Sequence, residues 1–416
     1  MHVERPTEDL LRDLAPQVLG ALVRRYGHFD AAEDAMQEAL LAAATQWQAE
    51  SMPDDPRAWL IQAASRRLID QLRSEQSRQR REEAVAVRVP RDHYLSPAAD
   101  AVGVDRDDSL MLLFLCCHPA LTAASQVALT LRAVGGLTTA EIARAYVVPE
   151  ATMAQRISRA KQRVSVAGAT FRLPEPDRWR ERLDAVLQVL YLIFNEGHTT
   201  TAGDRLYRVD LSAEAVRLTR KLARLVPDDN EVAGLLALML LTDARRPART
   251  GPDGALVPMA EQDRSRWDRF LIAEGVELVT AAMSRPPLGP YQLQAAIAAV
   301  HAEAPSLDAT DWKQIVGLYG LLERMGDPVV NPMITLNRAV AIGMAYGPQA
   351  GLGVVAGVVD RLSDHHRMHA VRAHLLEMAG ETAAASAEFR EAARRATSRP
   401  EQRYLAAQAT RLARQE

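Results

Sequence analysis

The sequence predicts an all-α protein, two small helical domains followed by a long helical extension, and three observations carry that reading. Ala and Leu recur throughout a chain that is 48% apolar. Only 5% of its residues are aromatic, and alternating runs of β-branched residues, the mark of half-buried strands, are hard to find. Apolar residues recur instead at spacings of three and four, which gives successive segments one face to bury. At 416 residues the chain exceeds what one core ordinarily organises, so several domains are expected.

Residues 8–78 form the first unit. Their helical spacing breaks at Asp54-Asp55-Pro56, where a carboxylate cap followed by proline starts another helix. Residues 79–108 read as a linker: the charged run Gln76 to Glu83 leads into it, Pro90 and Pro97 interrupt it, and Asp105, Asp107 and Asp108 close it. A second helical unit occupies 109–168. Pro174 and Pro176 then separate it from residues 177–416, a series of amphipathic helices punctuated by prolines such as Pro227, Pro305, Pro328 and Pro348. From His365 to Ala413 the periodicity is that of a degenerate tetratricopeptide pair, with Gly380 in the turn and Pro400 at the next boundary, so the extension is expected to be a tetratricopeptide-like solenoid.

Charge narrows the function. The net charge is −3, and only residues 109–167 are clearly basic, with six basic against two acidic side chains. A protein that coats nucleic acid non-specifically draws its affinity from many Lys and Arg contacts, so any DNA contact here should be local. Cys116 and Cys117 are the two cysteines, and their adjacency offers neither a disulfide framework nor a metal-ligand spacing. The chain lacks a basic stretch followed by an apolar run at its start, and lacks an apolar segment of the roughly 18 residues that a membrane span needs. A cytoplasmic protein without membrane contact is expected. There is no Gly-rich phosphate loop, no Gly-x-Ser-x-Gly and no metal-ligand cluster, so the sequence points to no enzyme, no catalytic residues, no metal and no cofactor. His198 and His301 lack a ligand-spaced partner and read as structural.

The sharpest local pattern runs from Gly136 to Lys161. A short helix with Ile142 and Ala143 turned inward meets a brief turn, and Pro149 opens the next helix. This is the pattern of a helix-turn-helix. On its second helix Met153, Ile157, Ala160 and Val164 share the core face, which leaves Thr152, Gln155, Arg156, Arg159 and Arg163 on the other. Arg and Gln can form paired hydrogen bonds with guanine and adenine edges, and Thr or Arg at the rim can hold phosphates.

The first unit decides the class. It carries Phe29-Asp30-Ala31-Ala32-Glu33-Asp34-Ala35-Met36-Gln37-Glu38-Ala39, then Asp55-Pro56-Arg57-Ala58-Trp59-Leu60-Ile61 and Arg66-Arg67-Leu68-Ile69-Asp70-Gln71-Leu72-Arg73. These blocks resemble region 2 of extracytoplasmic-function RNA polymerase sigma factors of the sigma-70 family, and the second unit resembles their region 4. The resemblance implies that Glu33, Asp34, Gln37 and Glu38 bind core RNA polymerase. It further implies that Trp59, Arg66, Arg67, Asp70 and Arg73 meet the −10 promoter element, and that Thr152, Gln155, Arg156, Arg159 and Arg163 meet the −35 element. Such a chemistry is physically coherent: an acidic, hydrogen-bonding surface suits a basic partner, and arginines suit the phosphates of opened DNA. Ser65-Arg66 stands where many members carry Asn in an Ala-Arg-Asn-like context, so the base preference at the −10 element does not carry over.

The remainder resembles a subgroup with a helical, tetratricopeptide-like extension. The blocks that carry this are Leu190 to Gly197, Gly234 to Leu241, Glu261 to Asp268, Gly289 to His301 and Leu336 to Ala341. Gln262, Asp263, Arg264, Arg266 and Trp267 leave two readings open: a groove for a regulatory protein or ligand, or buried polar networks that fix helix register. The expected function is promoter-specific transcription initiation. Its alternative is a one-component helix-turn-helix regulator with a ligand-sensing helical domain, which would bind promoter DNA without polymerase.

Overall fold

The computed structural model describes residues 4–83, 108–199, 207–251, 255–325 and 332–414. Among them it contains nineteen α-helices, and its β-structure is one isolated antiparallel bridge between Thr250 and Leu256. The all-α expectation holds. The chain divides into two compact units, Met1–Leu190 and Tyr191–Glu416.

In the first unit α1 (Glu4–Tyr26), α2 (Phe29–Glu50) and α3 (Pro56–Glu83) pack against one another around the fully buried Leu19, Leu22, Met36, Leu60 and Leu68. Gly27 ends α1 with φ +73°, a left-handed conformation that costs glycine nothing. Asp55 caps α3 as its sequence implied, its Oδ1 accepting from the Ala58 N–H at 2.9 Å. The charged run Gln76 to Glu83 is not linker, because α3 continues through it to Glu83. Glu, Gln and Arg are good helix formers, and no proline intervenes to stop the helix. Pro90 and Pro97 lie outside the described residues.

The second half of this unit contains α4 (Ser109–Cys116), α5 (Ala123–Ala133), α6 (Thr139–Ala145) and α7 (Glu150–Val166). Both cysteines are buried beside α4, and burial pushes the Cys117 thiol up to about 12, so neither is a ready thiolate. After Pro176 comes α8 (Trp179–His198), whose apolar stripe Leu183, Val186, Leu187, Leu190 and Ile193 is buried throughout.

The second unit runs through α9 (Val209–Leu225), α10 (Asn230–Asp243), α11 (Arg269–Met283), α12 (Pro290–Glu303), α13 (Trp312–Met325), α14 (Pro332–Tyr346), α15 (Pro348–Ala356), α16 (Val359–Leu362), α17 (His366–Met378), α18 (Thr382–Arg395) and α19 (Arg399–Ala413). Neighbours in sequence pack on one another from α9 to α15 and again from α17 to α19. The most deeply buried helix is α10, apolar on all sides and in contact with α9, α11 and α12. Gly234 lets the α12 backbone approach, since a Cβ there would lie 2.7 Å from the Gln292 nitrogen. The Glu231 carboxylate then accepts from the Tyr291 and Gln292 N–H groups at 3.1 and 2.9 Å, a negative charge at the positive end of α12. At the C-terminal end Gly380 turns α17 into α18 with φ +79°, and Pro400 sits in the first turn of α19, as the periodicity implied.

Candidate nucleic-acid interface

The helix-turn-helix is built by local chemistry. Thr138 caps α6 in a reciprocal box: its Oγ1 accepts from the Glu141 N–H at 3.2 Å, while its own N–H donates to Glu141 Oε2 at 2.7 Å. The turn closes where the Val148 N–H donates to the Ala143 carbonyl at 3.1 Å. Val147 takes φ +52° in that turn, a conformation that strains a β-branched residue. Pro149 is the cap of α7 and its helical residues begin at Glu150, one position later than the sequence implied.

Met153, Ile157, Ala160 and Val164 form the buried stripe of α7. Opposite them Thr152, Gln155, Arg159 and Arg163 are exposed and Arg156 is half-buried, so the five side chains singled out for DNA reading share one accessible face. On α3, Leu60, Ala64 and Leu68 turn inward, and Trp59, Arg66, Asp70 and Arg73 fall together on another face at helical spacing. Trp59 is half-buried, its ring edge-on to Trp47 at 5.5 Å between centroids. Arg67 lies beside that face and pairs with Glu38 at 3.3 Å.

The acidic helix α2 departs from a simple solvated surface. Asp34 and Glu38 are exposed, whereas Glu33 and Gln37 are only 1% and 5% exposed. Lys161 of α7 explains part of this. Its Nζ lies 2.6 Å from Asp30 Oδ1, 3.0 Å from Glu33 Oε2 and 2.8 Å from Asp34 Oδ1. Burial alone would lower the Lys161 pKa, but the Glu33 charge and the hydrogen bonds to Asp30 and Asp34 outweigh it and hold the ammonium above its ordinary value. Arg132 of α5 supplies the rest: its Nε is 2.7 Å from Glu33 Oε1, and its carbonyl accepts from Gln37 Nε2 at 3.3 Å.

Two further ion pairs join the same halves, Arg12 with Glu141 at 3.2 Å and Arg24 with the fully buried Asp108. Gly20 allows the second of these, because a Cβ there would meet the Asp108 side chain at 2.5 Å. The sequence reading missed Asp30, Arg132 and Lys161. A signal for Lys161 was present, since it follows Ile157 by four residues and so flanks the buried stripe of α7.

Residues 10–78 match the sigma-70 region 2 family, and residues 111–164 match the sigma-70 region 4 family. The chain belongs to the extracytoplasmic-function type of sigma-70 proteins. Residues 182–283 of this sigma protein also match a family of unknown function. It is 43% identical over 401 residues to an uncharacterized protein of Rhizobium meliloti (strain 1021), an alignment that covers 96% of this chain and 94% of the relative. No solved structure matches it. None of its described helices is long and apolar enough to cross a membrane.

In the extension of the sigma protein, part of the polar block around Arg264 bonds internally, while Asp263 and Arg266 are exposed. Arg264 Nη1 donates to the His301 and Ala304 carbonyls, both at 2.6 Å, and the guanidinium lies over the Trp267 ring at 4.6 Å. Gln262 Nε2 donates to the Val257 carbonyl at 3.1 Å, and Asp263 caps the turn at Ser265. Burial, reinforced by nearby arginines, lowers the pKa of both His198 and His301, the latter to about 4, so both are neutral at pH 7.

Proposed function

We propose that this sigma protein binds core RNA polymerase and directs promoter-specific initiation, reading the −35 element through α7 and the −10 element through α3. The observation that carries the proposal is the accessible α7 face of Thr152, Gln155, Arg156, Arg159 and Arg163 on a helix-turn-helix that shares a compact unit with the region 2 helices. Arginine can address both guanine edges and phosphates from such a face. Polymerase binding is assigned to Glu33, Asp34, Gln37 and Glu38, and the chain itself to a non-enzymatic role.

The Lys161 pairing gives this proposal a second step. Asp34 and Glu33 are held by Lys161 in the chain alone, so a polymerase that uses their carboxylates must take them from region 4. Polymerase binding and separation of α7 from α2 then form one coupled event. The test is run-off transcription with purified core polymerase on promoter fragments, with and without the protein. Specific transcripts that need both components support the proposal. Promoter binding that needs no polymerase, with no transcripts, would favour the one-component regulator.

A further inference from the structure

A cavity of about 250 Å³ lies among α10, α12, α13 and α14 of the second unit. Leu238, Ile297 and Leu322 contribute to its apolar wall; Arg245, Gln294, His301, Tyr319 and Asn337 supply its polar groups. Among the described residues, no carboxylate lines it. The arginines of this region differ in their partners, and Arg264 has two carbonyls. Arg338 has Glu323 at 2.6 Å, Arg246 has Asp243 at 3.5 Å and Arg249 donates to Thr199 Oγ1 at 2.8 Å. Among the described residues, Arg245 donates only to the Met259 thioether at 3.0 Å, and sulfur is a weak acceptor.

Arg245 is partly buried, and a partly desolvated cation without an anion is disfavoured. Burial, with Arg264 as the neighbouring like charge, lowers the Arg245 pKa to about 10. His301 Nδ1 and Arg264 Nη2 are buried close by, and neither has a hydrogen-bond partner. His301 is neutral and so offers one ring N–H, and Tyr319, with its pKa raised to about 12 by burial, keeps its hydroxyl proton. The surroundings are thus rich in donors and short of negative charge.

We propose that this cavity is a binding site for a small organic carboxylate with an apolar body, its carboxylate on the Arg245 guanidinium and its body against Leu238, Ile297 and Leu322. The planar guanidinium fits a carboxylate through two parallel hydrogen bonds. The volume lies below the roughly 300–1,000 Å³ of pockets for drug-sized molecules, which sets the scale of the ligand. The proposal is independent of the polymerase assignment, because it concerns side chains of the second unit alone.

Calorimetry and thermal melting of the full chain test it, with hexanoate and benzoate as probes and hexanamide, benzamide and inorganic phosphate as controls. At least one carboxylate should bind at millimolar concentration or below and raise the melting temperature, while its amide does neither. Arg245→Met, similar in length and without charge, should weaken that binding at least tenfold. Ala298→Phe keeps the arginine and should abolish binding by filling the cavity, which covers the case in which Arg245→Met fails to fold. No binding by either carboxylate, equal binding by the amides, or binding unchanged in both variants would overturn the proposal. Binding of phosphate alone would also overturn it, in favour of an inorganic-anion site.

Discussion

The two surfaces proposed for recognition differ in how ready they are. Region 4 presents its basic face on α7 to solvent, with four of its five side chains exposed. Region 2 presents only part of its acidic face on α2, because Glu33 and Gln37 face Arg132, and Glu33 and Asp34 are held by Lys161. The exposed basic charges of α7 face solvent, where they can attract a polyanion, though water and salt screen them. The paired ones have spent theirs on internal partners. On the proposed function, DNA reading at α7 would require no internal exchange of partners, whereas polymerase binding at α2 would.

The largest effect is expected where the acidic face itself is reversed. Replacing Asp34→Arg together with Glu38→Arg should abolish co-purification with core polymerase and leave the helical circular dichroism signal unchanged. Retained binding would break the assignment of α2. On the other surface, Arg159→Ala or Arg156→Ala should cost about 1–3 kcal/mol and relax preference at one or two positions of the −35 element, if the arginine reads a base edge. A loss that is uniform across sequences, measured by competition binding with the polymerase complex, would demote that arginine to a phosphate contact.

Lys161→Met sharpens the comparison from the side of the cage. Removing one partner of a fully buried pair costs roughly 3–5 kcal/mol. Asp30 and Asp34 are 67% and 50% exposed and Glu33 keeps Arg132, so a loss nearer 1–2 kcal/mol in urea unfolding is expected here. Core polymerase should bind this variant more tightly than the wild type, because the α2 carboxylates no longer need to be freed. Weaker or unchanged binding would separate the Lys161 cage from polymerase recognition. The smallest effect belongs to Thr138→Ala, which removes the α6 cap and should lower stability by about 1 kcal/mol in the same measurement.

What the sequence revealed follows the range of the interactions involved. The α3 cap at Asp55, the helix-turn-helix and the α17–α18 turn at Gly380 depend on residues a few positions apart, so their patterns could be read directly. The five residues of the α7 face were legible for the same reason, since helical period alone separates them from Met153 and Ile157. The Lys161 to Asp34 pair joins residues 127 positions apart, and no local pattern announces such a partner. Its absence from the sequence reading made α2 look like one uniform acidic surface. The continuation of α3 through Gln76 to Glu83 was missed because high charge was read as a break, although those side chains favour a helix. The isolation of Arg245 was equally hidden, as it depends on what does not surround the guanidinium.

The central claim is that the carboxylates holding Lys161 in the chain alone are the ones that polymerase takes. It can be measured as a distance between α2 and α7, with spin or fluorescent labels on Leu41→Cys and Gln162→Cys, two exposed positions. Native Cys116 and Cys117 are buried with raised pKa values and should resist labelling. One short distance is predicted for the protein alone, and a longer one after addition of core polymerase. A distance that stays short in the polymerase complex would contradict the account.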